Sequence, residues 1–455
     1  MNDIRLLVDF GSTFTKVVAV DLSNIEVIAA ARVPSTVGTD ITLGLEEALK
    51  IIAETTGITT LEKREALACS SAAGGLRMVC CGFVPELTVK AANLAALGAG
   101  AKVVAGYSYK LTQQEVREIE ALAPDILLLS GGTDGGDEQV IIHNARMVSS
   151  TGRAVMNIII AGNKTTHDGL KNIFRNNSKN VIYTKNVMPE IGVLDAAPCN
   201  KEIRELFMKN IIQAKGIAKA KAIIKDVIMP TPSAVLEAAR LISGGWKNEM
   251  GFGELIVIDP GGATTDVHSI AKGNPASPDI IMHGLPEPYE KRTVEGDLGS
   301  KYNLDRLLEL AQEKETPPGF ESIVQKFHAG KLPKTKAEFE CHFLLSRLMV
   351  EVAMERHAGK IEVVYGPTGE RLLQHGKDLT GVKSVIGTGG PIIFSRNPRE
   401  ILEGIRFRDE NPFSLSPKNP AFYLDERYIL FAVGLLSQLE PVKALKLAKK
   451  YLKQI

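Results

Sequence analysis

The chain has 455 residues, with 54 basic and 53 acidic side chains for a net charge of +1. That length suggests about three compact units at roughly 150 residues each, and the charge balance excludes a global electrostatic case for nucleic acid or an anionic membrane as partner. A composition 44% hydrophobic and 24% charged excludes a chain disordered throughout, while 41 glycines exceed the usual ~7%.

The opening predicts three short strands, Ile4 to Asp9, Lys16 to Asp21 and Glu26 to Arg32, each rich in Val, Ile or Ala. Thr42 to Thr55 has helical apolar spacing and stops before Gly57, and Arg64 to Ser70 follows as a strand. This is a β-β-β-α-β unit. From about Gly75 to Cys199 helices and strands alternate, with strands at Lys102 to Ala105, Ile126 to Leu129, Asn157 to Ala161 and Asn180 to Tyr183 and a helix at Gln113 to Ala123. Such alternation predicts a small parallel sheet, inserted as an α/β block.

Lys201 to Lys225 reads as a long helix whose lysines belong to a solvated face. Leu255 to Asp259 (LIVID) begins a second strand-turn-strand, followed by helices around Leu304 to Gln312 and Phe339 to Glu355. Glu315 to Lys336, richer in Pro, Gly and charge, is expected to be a surface connection. Glu440 to Ile455 reads as a basic amphipathic helix, its lysines suited to the helix dipole.

Five cysteines, at 69, 80, 81, 199 and 341, lack CxxC spacing and are odd in number, which points to a reducing cytoplasmic setting and not a disulfide framework. The start, MNDIRLLVDFGST, is too short in its apolar run for a signal peptide. Tyr428 to Leu436, one of the longest apolar stretches, falls below the ~18 residues a bilayer span needs. No membrane anchor is expected.

The glycines collect in strand-ending loops. In Asp9-Phe10-Gly11-Ser12-Thr13-Phe14-Thr15-Lys16, Gly11 lets backbone approach an anion, Ser12 and Thr13 supply donors, Lys16 supplies positive charge, and Asp9 can hold Mg²⁺ through its waters. Alone, such a turn is commonplace. Asp259-Pro260-Gly261-Gly262-Ala263-Thr264-Thr265-Asp266 repeats the grammar, which suggests two hairpins facing each other across a polyphosphate with Asp9 and Asp259 near a metal. In Val385 to Pro391, the small residues Gly387, Thr388, Gly389 and Gly390 leave room for a flat ring. Neither a P-loop nor a dinucleotide fingerprint is present.

Together the three clusters resemble the actin-like ATPase superfamily: DFGSTFTK matches its first phosphate motif, DPGGATTD its second and GTGGP its adenosine motif. The resemblance implies an α/β, two-lobed actin-like (ribonuclease H-like) fold with ATP and Mg²⁺ between the lobes. On that reading, 1–75 and 201–250 form the first lobe, 76–200 the inserted subdomain, 251–427 the second lobe and 428–455 a helical end. A closer resemblance is to the L proteins encoded alongside adenosylcobalamin-dependent glutamate mutase, which are unrelated to the mismatch-repair ATPase of the same name. It is carried by Ser70 to Leu76, Leu129 to Gly136 and Arg292 to Gly299. It implies a chaperone-like partner of an adenosylcobalamin-dependent aminomutase.

One departure stands out. Heat-shock chaperones carry a glutamate where Met229 to Leu236 here offers threonine or proline, so Asp259 or Asp266 is left to orient the attacking water. Asp9, Asp259 and Asp266 are the candidate catalytic carboxylates, and slow hydrolysis is expected. A small-molecule kinase of this fold and a nucleotide-binding scaffold without turnover remain the alternatives. Ser130 to Gly136 is either a ligand site or a plain strand-to-helix connection. Asp266 to Ala271 lacks the glycine of the cobalamin signature DxHxxG, which argues against His268 as a cobalt ligand. Cys80-Cys81 reads as apolar packing.

Overall fold

The computed structural model describes the chain except residues 1–2, 37–38, 59–65, 72–75, 153, 213–223, 313, 330, 332 and 368, and the side chains at 210–212 and 225–228. It divides into two compact units, one comprising Met1–Ala73, Ile212–Ile281 and Tyr289–Ile455, the other Gly74–Ile211 with Met282–Pro288.

In chain order, the first unit begins with β1 (Ile4–Phe10), β2 (Phe14–Asp21), β3 (Glu26–Pro34), a helix at Ile41–Thr56 and β4 (Ala66–Ser70). Asp40 caps that helix by accepting from the Thr42 amide, and Gly57 ends it in the left-handed conformation. The inserted unit supplies β5 (Arg77–Cys81), β6 (Lys102–Tyr107), β7 (Ile126–Leu129), β8 (Asn157–Ile160) and β9 (Asn180–Tyr183). The chain then returns as β10 (Ile224–Pro230), leading into the helix Thr231–Gly244. Next come β11 (Leu255–Pro260), β12 (Thr265–Ile270), β13 (Ile280–His283), β14 (Glu290–Glu295), the hairpin β15 (Lys360–Gly366) and β16 (Gly369–His375), β17 (Ser384–Gly387), β18 (Ala421–Asp425) and β19 (Leu452–Gln454).

Two sheets of the first unit share one plan. The first has the order β10-β4-β1-β2-β3, the second β14-β12-β11-β17-β18-β19. In each, a three-stranded antiparallel meander is followed by two strands parallel to its first member: β4 and β10 beside β1, β17 and β18 beside β11. The last parallel strand of each leads into a helix, Thr231–Gly244 or Leu430–Ser437. These helices pack tightly: a Cβ on Gly434 would lie 1.8 Å from the Ala234 carbonyl oxygen. One apolar core joins Leu7, Val18 and Leu67 of the first sheet, Ala234 to Ile242, Leu255 and Val257 of the second, and Leu430 to Leu436.

The inserted unit is an all-parallel sheet in the order β6-β5-β7-β8-β9. Its interior strand β5, between β6 and β7, is one the sequence reading did not single out. RMVCC is short and almost wholly buried, and carries Cys80 and Cys81 into the core, where both are fully enclosed. A four-residue apolar run with no alternation gives a weak strand signal.

Three expectations are corrected. The helix expected over Lys201 to Lys225 is Ala197–Ile212; residues 213–223, with three of its lysines, lie outside the description, and Ile224 already belongs to a strand. The connection expected over Glu315 to Lys336 contains a helix, Phe320–His328, which buries Phe320, Ile323, Val324 and Phe327. The terminal helix stops at Tyr451, and β19 pairs antiparallel with β18. Among the described residues no helix is long and apolar enough to cross a membrane.

Candidate functional site

Each of these two matching sheets ends its first strand in a tight glycine turn. In the first, the Gly11 amide donates to Phe14 O at 3.0 Å, and a Cβ on Gly11 would sit 2.6 Å from that oxygen. Ser35 fastens this turn, its amide donating to Thr13 O at 2.9 Å and its hydroxyl to Gly11 O at 2.7 Å. In the second, the Gly261 amide donates to Thr264 O at 2.8 Å. The two turns meet: a Cβ on Gly262 would lie 2.8 Å from Thr13 Oγ1.

The Arg292 to Gly299 motif proves to lead into a brace for the second turn. Its carbonyls are occupied by backbone donors, Ser300 to Gly261 at 3.0 Å, Lys301 to Gly262 at 2.9 Å and Tyr302 to Gly262 at 3.1 Å. Asn303 adds a side-chain donor to Ala263 O at 2.8 Å. A Cβ on Gly299 would fall 2.6 Å from the Ala263 carbonyl oxygen, so the brace requires glycine there.

Asp9 lies buried at the end of β1. Its Oδ2 is 2.7 Å from Lys16 Nζ, its cross-strand neighbour, and its Oδ1 accepts from the Thr231 hydroxyl at 2.6 Å. Lys16 Nζ also stands 3.9 Å from the Tyr428 ring centre and 5.2 Å from that of Phe431. Burial works against the ammonium, but Asp9, Tyr428 and Asp259 together outweigh it and raise the lysine above its ordinary range. Burial pushes the Tyr428 phenol up to about 12, against the pull of Lys16.

The second turn is flanked by two carboxylates in different surroundings. Asp259, half-buried, is pushed up to about 7, first by burial and then by the charges of Asp266, Asp9 and Asp425, with Lys16 opposing. Asp266 accepts from Arg292 Nε at 2.7 Å and from the Thr264 hydroxyl at 3.2 Å. Arg292 is almost fully enclosed, which makes this a buried ion pair.

The third cluster adjoins the second because β17 runs parallel beside β11. The Thr388 amide donates to Ile258 O at 3.0 Å, and its hydroxyl donates to Asp425 at 2.9 Å. Asp425 also accepts from the amides of Ile429 and Leu430, capping the helix Leu430–Ser437. Gly389 has φ 84°, and a Cβ there would lie 2.6 Å from Asp259 Oδ1. Gly387 is closed in by Leu402, and Gly390 opens the short helix Gly390–Ile393.

The three loops, with Gly11, Ser12, Thr13, Lys16, Gly261, Gly262, Thr264 and Gly387 to Gly390, therefore belong to one unit. Sequence reasoning missed Asp425 and Tyr428, which reach the loops from far along the chain and carry no local motif, and it singled out Arg292 only as part of the Arg292 to Gly299 motif, not as the partner of Asp266. The acids Asp9, Asp259, Asp266 and Asp425 outnumber the buried cations Lys16 and Arg292. That excess adds to burial in raising Asp259, and hard oxygen donors with surplus negative charge suit Mg²⁺. Among the described residues no three acidic, His or Cys side chains form a ready-made metal cage, so such an ion would be held through its waters.

Elsewhere, Ser130 to Gly136 is an ordered loop. Buried Asn163 accepts from the Gly135 amide at 3.0 Å, and buried Asn186 donates to Gly132 O and to Asp134 Oδ1, both at 3.0 Å. His268 is fully enclosed within β12, and burial pushes it down to about 3. Enclosure of this kind leaves it no opening to an external metal.

Two sheets of matching order and direction, joined by packed helices and each contributing a glycine turn to one junction, define the actin-like ATPase fold. The chain belongs to the MutL protein family, whose match spans residues 5–452; this is the mutase-associated family that the motifs resemble. "Protein MutL" of Clostridium tetanomorphum is 43% identical over 472 residues, covering 100% of both chains. Among solved structures, gluconate kinase from Lactobacillus acidophilus overlaps 99% of this chain and 93% of its own at 12% identity and a TM-score of 0.34. A glycerol dehydratase reactivase overlaps 96% and 99% at 10% identity and a TM-score of 0.32. The fold assignment rests on strand order and direction, not on these loose superpositions.

Proposed function

We propose that the protein binds ATP with Mg²⁺, hydrolyses it slowly, and serves as a reactivase or chaperone of an adenosylcobalamin-dependent aminomutase such as glutamate mutase. The observation that carries the ATP reading is the meeting of the two glycine turns at Thr13 and Gly262, beside carboxylates whose charge is in excess. Membership of the MutL protein family supports the mutase as partner.

In this reading the amides and hydroxyls of Gly11, Ser12, Thr13, Gly261, Gly262 and Thr264 donate to the phosphates, and Gly387 to Gly390 lie against the adenosine. Asp9 and Asp259 hold the hydrated Mg²⁺, which supplies neutralising charge to the phosphates. Arg292 commits Asp266 to fixing the turn, so Asp259 is the acceptor for the proton of an attacking water. Thr231 offers Asp9 a donor where a chaperone would offer the water an acceptor, and turnover is slow for that reason. The same hydroxyl supports a second reading, a nucleotide-binding scaffold without turnover.

ATP and ADP shift populations to the extent that contacts to the γ-phosphate differ between states. We assign contact with the mutase to the inserted unit. Mg-ATP and this protein are added to an inactivated aminomutase, and the assay is repeated with Asp9→Asn. Recovery with the wild type and none with the variant is expected; equal recovery with both would overturn ATP use as the mechanism. Removing residues 76–200 is expected to abolish mutase binding, and retained binding by the folded remainder would exclude the inserted unit as the contact.

A further inference from the structure

The buried cations of the junction are already matched to acids: Lys16 to Asp9 at 2.7 Å and Arg292 to Asp266. Arg32 differs. It lies opposite Lys16 in the β2–β3 register, so its Cα adjoins the first phosphate turn, yet among the described residues it makes no ion pair. Its guanidinium is held by two rings, 4.6 Å from the Phe14 centre and 4.1 Å from that of Phe394. Phe14 opens β2 directly after the first turn, and Phe394 follows the short helix begun by Gly390. A cation is thus fixed between the first and third loops without an anion of its own. Stacking engages the faces of a guanidinium and leaves its in-plane N–H donors for a planar or phosphate partner.

We infer that Arg32 is a phosphate-contacting residue, donating to the polyphosphate of the bound nucleotide where the first and third loops adjoin. The inference rests on the ATP reading of the site. It assigns Phe14 and Phe394 the task of holding that donor in place. The charge that Lys16 spends on Asp9 is then supplied to the phosphates by its cross-strand neighbour.

The test is a series of affinities for ATP, ADP and adenosine, all with Mg²⁺, for wild type, Arg32→Ala and Arg32→Lys. Arg32→Ala is expected to weaken ATP and ADP roughly 10- to 100-fold, the loss of a charged hydrogen bond, and to leave adenosine within about twofold. Arg32→Lys keeps the charge without the flat stack and is expected to fall between. Unchanged ATP and ADP affinities would overturn the inference. An equal loss for adenosine would also overturn it, since that marks a base-stacking or merely structural role. A wild-type protein that binds adenosine but neither ATP nor ADP would overturn the phosphate site itself, a failure distinct from that of Arg32.

Discussion

Thr231 donates its hydroxyl to Asp9 Oδ1 at 2.6 Å, joining the first residue of a crossing helix to the end of strand β1. A hydrogen bond to a buried carboxylate is worth about 1.5–3 kcal/mol. Thr231→Val is expected to lower unfolding stability by that amount in urea titrations. Thr231→Glu, if folded, is expected to raise ATP turnover by roughly tenfold through an added acceptor, and single-turnover phosphate release measures it.

Stability without nucleotide or metal is expected to depend on Asp259. Its carboxyl, raised in the folded state to about 7, favours folding while protonated, fully so below its unfolded value near 3.8. That contribution is lost as pH rises from about 4 to 7. Thermal melts should show it shrinking over this window, with Asp259→Asn flattening the profile and raising the midpoint at pH 8. Adding Mg²⁺ is expected to recover part of the wild-type loss.

Asp266 and Arg292 form a buried pair, so truncating the cation strands the anion. Arg292→Met is expected to destabilise by about 3–5 kcal/mol. Asp266→Asn with Arg292→Met is expected to cost less than the sum of the single changes, and a double-mutant cycle in urea measures the coupling.

Gly434 admits the carbonyl of Ala234 where the crossing helices meet. Gly434→Ala must force them apart, at an expected cost of about 1–3 kcal/mol or more. Because Thr231 and Tyr428 flank these helices, ATP affinity is expected to fall as well, read by fluorescent-nucleotide titration.

The three loops were legible in sequence because their chemistry is local: Asp, Gly and hydroxyl residues packed into a few positions after an apolar run. What holds them in place was not. Arg292 reaches Asp266 from a neighbouring strand, Asp425 binds Thr388 while capping a helix, and Tyr428 covers Lys16 from far along the chain. Such partners are fixed by register and packing, which leave no spacing pattern. The same holds for β5, whose burial on both faces erased the alternation that marks an exposed strand.

The matching sheets give the junction a direction. Lys16 faces Asp9 across β1 and β2, while Asp266 faces Asp259 at the corresponding place across β11 and β12. Two like hairpins would otherwise present like charges to either end of an elongated ligand. Replacement of the lysine by an acid in the second copy leaves one hairpin with a self-neutralised Asp9–Lys16 pair and the other with two carboxylates, one of them matched only by Arg292 from outside the hairpin. A bound molecule with distinguishable ends then has a single polarity of entry, set by one reversed charge in a duplicated plan.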